Sequence, residues 1–157
     1  MYWRKAAVNG AYIGGVGALC VLLEQLLGGN VLLALLSYAV PFVGFSWFSI
    51  RLRDKELGGR ITYGQTFRYA LMLSFFGAII VGAATTVVNV LHPEYLADAT
   101  DEILKIFEKT ASEKDVLAFK DVASRMSFPA TFFMYSVASY TFFGMIIGLI
   151  TSAMVRR

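Results

Sequence analysis

Of the 11 acidic residues in this 157-residue chain, only Glu24 falls inside a long apolar block. A charge held in a lipid core costs about 2.5–3.5 kcal/mol, so such a carboxylate is a candidate proton, ion or ligand site. Gln25 follows it, and Asn89 and His92 lie at the end of another apolar block. At helical spacing Glu24 shares a face with Gly10, Gly17 and Cys20, and Asn89 shares one with Ala78, Gly82 and Thr85. Glu24, Gln25, Asn89 and His92 therefore form a candidate polar site at one end of a helix bundle. Two readings compete, a ligand or proton site and hydrogen-bonded structural glue. Glu24 sits about one turn, roughly 5 Å, from its helix end, within snorkelling reach of the interface. That favours the structural reading.

Nothing else in the chain is arranged for chemistry. His92 is the single histidine, which excludes zinc sites built on several histidines. His92-Pro93 reads as a helix boundary, and no Ser–His–Asp set, Gly-rich phosphate loop or metal-spaced cluster occurs. No catalytic residue, metal or cofactor is expected. The lone cysteine, Cys20, has no partner for an internal disulfide and reads as a small packing residue.

The elements that would position these side chains follow from composition. With 57% hydrophobic and 16% charged residues and a mean hydropathy of +0.63, the chain is too apolar for a soluble domain. Its apolar residues form four continuous blocks, at about 6–27, 31–50, 67–91 and 128–155. Lipid supplies no hydrogen-bond partners, so a spanning block must be a helix or part of a closed barrel, and continuous blocks fit helices. The first block exceeds a signal-peptide core and is followed after Gly28-Gly29-Asn30 by a second, so it reads as an anchor paired in a tight hairpin. Pro41 is expected to kink or loosen the second helix. A polar connection spans 51–66, where Gly58-Gly59 marks a turn. Residues 92–127 lie outside lipid, with Leu96, Ile103, Leu104 and Phe107 at helical spacing and Val116, Phe119, Val122, Ala123 and Met126 likewise. Pro93 suits a helix start, and Ser112 with Asp115 resembles a capping box. The expected fold is an all-α membrane protein, one domain over 1–157. It is a four-transmembrane-helix bundle with an amphipathic helical hairpin outside, between the third and fourth spans.

Charge sets the orientation. Arg4, Lys5, Arg51, Arg53, Lys55, Arg60, Arg68, Arg156 and Arg157 face only Asp54 and Glu56 on one side, whereas residues 92–127 carry five basic and eight acidic residues. By the positive-inside rule, both termini and the 51–66 connection are cytoplasmic. Trp3, Trp47, Tyr63 and Tyr69 fall at the same boundary, as an aromatic belt would. This placement accounts for the basic pI without nucleic acid, which is excluded as a partner; the lipid bilayer takes that place. Small residues recur four apart, Gly10 and Gly14 with Ala18, Ala78 and Gly82 with Thr86, Gly144 and Gly148 with Ser152. Such stripes allow close helix approach, either within the bundle or, on the fourth span, along a homodimer seam.

The connection Arg53-Asp54-Lys55-Glu56-Leu57-Gly58-Gly59-Arg60-Ile61-Thr62-Tyr63-Gly64-Gln65-Thr66-Phe67 resembles one family, the bacterial membrane proteins grouped as domain of unknown function 4199. The motif is Gly58-Gly59, then Ile61, Tyr63 and Gly64; Pro93-Glu94-Tyr95 and the Gly144 to Gly148 stretch are similar too. The resemblance covers nearly the whole chain. It implies four helices in a Gram-negative inner membrane, no assigned catalytic residues, and a polyprenol-phosphate sugar transferase as a partner. The function expected is a non-enzymatic accessory or scaffold protein that binds another membrane protein or a lipid-linked substrate. The alternative is a small oligomeric carrier or flippase using an outer-leaflet site at Glu24.

Overall fold

The computed structural model describes residues 2–27, 31–126 and 128–155. They form six helices and, among the described residues, no strand: α1 (Tyr2–Leu26), α2 (Val31–Glu56), α3 (Tyr63–Leu91), α4 (Pro93–Thr110), α5 (Glu113–Met126) and α6 (Pro129–Val155). Three of them, over Trp3–Leu26, Tyr63–Leu91 and Pro129–Val155, are long and apolar enough to cross a membrane. The Gly28-Gly29-Asn30 turn, Arg156-Arg157 and Ser127 lie outside the described residues, as do the side chains of Leu96 and Met126.

Helix α3 is the centre of the bundle, packed along α1 on one side and α6 on the other, with α2 leaning on all three. Missing side chains make the closest approach possible. A Cβ on Gly14 would lie 2.6 Å from the Gly77 carbonyl oxygen and 2.8 Å from Gly77 Cα; one on Gly10 would lie 2.7 Å from Leu73 O. Below them a Cβ on Gly17 would meet Val81 Cγ2 at 3.0 Å. Backbone rests on backbone along this seam, which recovers dispersion energy where lipid provides no hydrophobic drive. On the other side Gly144 accepts the Ser74 side chain, whose Oγ donates to the Tyr140 and Thr141 carbonyls at 3.3 Å each. Gly148 stands over Ala70, Gly82 over Val137, and Ala78 is buried between them on α3. The Gly144 and Gly148 face is therefore filled by α3 of the same chain. It is not open to a second copy, because Ser74 and Ala70 occupy it.

Two sequence expectations are corrected. The 51–66 connection is mostly helix, since α2 continues to Glu56 and α3 begins at Tyr63; hydropathy falls at Arg51, but helix propensity does not. Pro41 lies inside α2. Tyr69 is not a belt residue. It is 3% exposed and accepts a hydrogen bond from Asn9 Nδ2 at 2.7 Å, whereas Trp3 and Trp47 are exposed on the surface.

The true turn, 57–62, is rigidly built. Gly58 and Gly59 take φ of 63° and 87°, and the Gly59 N–H donates to Arg53 O at 3.0 Å, closing α2. Thr62 then caps α3: Gln65 N–H donates to Thr62 Oγ1 at 3.3 Å and Thr62 N–H to Gln65 Oε1 at 3.0 Å. Between turn and cap, Ile61 is 2% exposed in a cluster with Leu52, Ala70 and Val155.

Helices α4 and α5 form the hairpin expected over 92–127. Pro93 opens α4. Asp115 N–H donates to Ser112 Oγ at 3.4 Å at the start of α5. Phe107 and Phe119 stack across the pair at 5.2 Å, and Lys120 reaches Glu108 at 3.6 Å.

Candidate functional site

Glu24 and Gln25 lie near the end of α1, and Asn89 and His92 at the end of α3. Glu24 and Gln25 are half-buried on α1, and among the described residues no hydrogen bond joins either to Asn89 or His92. His92 is turned toward its own helix start instead, its Nδ1 2.9 Å from Glu94 Oε1. The Glu94 backbone N–H and the His92 ring hold that carboxylate below the usual range. Asn89 opens into a cavity of about 580 Å³ between the bundle end and the hairpin, where Thr100, Asp101, Lys120 and Ser124 also lie. Glu24 is not among its walls. Glu24 sits on α1, whereas the hairpin meets the bundle at α3 and α6.

These positions make a sharp expectation for Glu24→Gln. The amide keeps the shape and removes a half-buried charge that forms no described ion pair. Stability in detergent should be unchanged or slightly raised. A fall of several degrees in melting temperature would show that the charge has a structural partner.

The opposite, basic end is better organised. Lys5 forms an ion pair with Glu56 across α1 and α2, and Arg53 Nη1 donates to the last described carbonyl of α6, Val155 O, at 3.2 Å. A cation at a helix C-terminus complements its carbonyls and dipole. Between the ends of α1, α2 and α3 a cleft of about 360 Å³ is bordered by Lys5, Asn9, Arg51, Glu56 and Tyr69. Sequence reasoning missed it. Lys5 and Arg51 read only as topology charges and Tyr69 as a belt residue, and Asn9 is not singled out. Asn9 and Tyr69 meet across 60 positions of sequence, which no periodicity within one helix reveals.

The cavity in the middle of the bundle is small, about 40 Å³, and partly open; aliphatic, aromatic and glycine residues line most of it, with Ser74 and Tyr140 the polar side chains on its wall. Cys20 is buried. No group of three or more His, Cys, Asp or Glu side chains among the described residues is placed to hold a metal.

Long apolar helices, glycine seams and charged ends define the class, an all-helical membrane protein. The chain belongs to the family described as protein of unknown function (DUF4199), whose sequence model matches residues 9–157. The matched region takes in both glycine seams, the 57–62 turn and the hairpin. No curated protein and no solved structure matches it.

Proposed function

We propose that this protein is a non-enzymatic accessory or scaffold protein of a bacterial inner membrane, spanning it four times, which binds another membrane protein or a lipid-linked substrate at its polar ends. The fourth span is α2, uncharged from Val31 to Ile50 and packed against α1, α3 and α6. The basic ends of α1, α2 and α3 face the cytoplasm, and the α4–α5 hairpin lies outside. Fusions of reporters at Lys55 and Arg157 should read cytoplasmic and one at Ser112 external. A cytoplasmic signal at Ser112 sinks the four-span reading.

The observation that supports binding rather than transport is the small volume of the bundle interior. Transporters display broken helices and several ionisable groups near the midplane. Here the long helices are continuous, and the central cavity has room for a few waters at most. What is polar sits at the two ends, as expected of surfaces that dock a partner. The carrier or flippase alternative needs copies assembled around Glu24, and Glu24 has no described polar partner. A homo-oligomer would use the outer face of α6, where Phe142, Ile146, Ile150 and Met154 are exposed. A polyprenol-phosphate sugar transferase is one partner consistent with a lipid-linked substrate. Purified protein in liposomes carrying a fluorescent lipid should leave the inner-leaflet signal protected from dithionite. Protein-dependent loss of that signal replaces the binding reading with the carrier reading.

A further inference from the structure

We propose that the basic cleft and an apolar groove beneath it form one binding site for a phosphate-bearing lipid, its headgroup between Lys5 and Arg51 and one hydrocarbon chain laid between α1 and α2. The inference deepens the binding reading and rests on it, because the groove meets lipid only if α2 spans the bilayer.

The headgroup end has the chemistry an anion requires. Lys5 is paired with Glu56, and Arg51 has no ion pair among the described residues. The three side chains therefore leave one uncompensated positive charge, the complement of a phosphodiester. Asn9 uses an amide N–H on the Tyr69 phenol oxygen, leaving the phenol O–H free to donate toward the cleft. Tyr69 is held by burial, so that donor is fixed in place.

The tail end follows from continuity. Tyr12 and Phe48 wall both the cleft and a groove of about 410 Å³ between α1 and α2. Val16, Leu36, Val40 and Val43 line the rest of it, with Ala39 small enough to leave it open. From Phe48 back to Leu36 the groove follows α2 for about 18 Å at 1.5 Å per residue. One leaflet of hydrocarbon is about 15 Å deep. A lipid with its phosphate at Arg51 thus has a chain of the right reach lying in the groove.

The test uses the full chain in phosphatidylcholine nanodiscs, with phosphatidylglycerol or tailless glycerol phosphate added, and native mass spectrometry counting what each chain retains. One phosphatidylglycerol per chain is expected, in preference to phosphatidylcholine. Arg51→Gln should weaken retention about tenfold, the loss of one charge-assisted hydrogen bond. Ala39→Phe, which fills the groove without touching the cleft, should weaken it as well, and Arg60→Gln at the nearby turn should not. Melting curves confirm that each variant is folded. Equal loss in Arg60→Gln shows general charge attraction and overturns the site. Glycerol phosphate bound as tightly as the lipid, and unaffected by Ala39→Phe, overturns the lipid assignment in favour of a soluble phosphate. Reporters at Lys55 and Ser112 judge the span count separately, so a four-span chain without Arg51-dependent retention overturns this site alone.

Discussion

Gly14→Ala is expected to lower the stability of the protein in detergent by about 1–3 kcal/mol, the range for forcing a methyl group into a filled core. The added Cβ would sit 2.6 Å from the Gly77 carbonyl oxygen and 2.8 Å from Gly77 Cα. Both are backbone atoms of α3, so no side chain can rotate away and the helices must separate. Separation also loosens Gly10 on Leu73 and Phe76 and Gly17 on Val81, which share the seam. The neighbouring residue provides the control. A Cβ on Gly15 meets nothing within 4 Å, and Gly15→Ala should be neutral or stabilise by up to about 1 kcal/mol through helix propensity. Cys20 is the only cysteine and is buried on α1, so a thiol-reactive dye reports melting of that helix directly. Equal midpoints for the two variants would mean that α1 and α3 do not pack backbone to backbone.

The two glycines differ in a way that explains how far sequence carries. The stripe of Gly10, Gly14 and Gly17 is legible at helical spacing because lipid leaves close packing as the main attraction between helices. Its counterpart Gly77 is not, since it belongs to no four-residue repeat and gains its meaning from the residue opposite. The same holds at the ends. Four apolar blocks are visible in composition, and Gly58-Gly59 announces a turn. Helix boundaries are not visible, because Arg51 to Glu56 stop being apolar without ceasing to be helical. Thr62 and Gln65 do carry a readable cap signal, one overlooked when the stretch is searched only for charge.

The candidate sites divide along the same line. Glu24, Asn89 and His92 are each conspicuous as polar residues near apolar blocks, yet their placement together depends on which helices adjoin at that end. His92 finds a nearer partner in Glu94, two residues on. Lys5, Arg51, Asn9 and Tyr69 are inconspicuous one by one, and a cleft appears only when three helices end side by side. Position along a helix is encoded locally, whereas a site between helices is a property of packing.

The 57–62 turn is where both kinds of information meet, and its loss should be among the most damaging changes to the chain. Ile61 is 2% exposed and belongs to the core cluster that also holds Leu52 of α2, Ala70 of α3 and Val155 of α6. Ile61→Ala removes that plug and should cost about 2–4 kcal/mol, the transfer term plus the cavity left behind. Gly58→Val acts on the same structure through the backbone alone. A Cβ there meets nothing within 4 Å, so the penalty is purely conformational, about 1–3 kcal/mol for a β-branched residue held at φ of 63°. Gly64 is the matched control, also open around its missing Cβ but in the first turn of α3, where alanine is welcome. Melting each variant in the same detergent should rank Ile61→Ala lowest, Gly58→Val next, and Gly64→Ala at or above the parent. The order matters because the turn lies beside Arg53 and the basic cleft, whose shape depends on where α2 ends. If Gly58→Val melts with the parent, the connection is a tether, and the cleft at Lys5 and Arg51 loses the support this fold assigns to it.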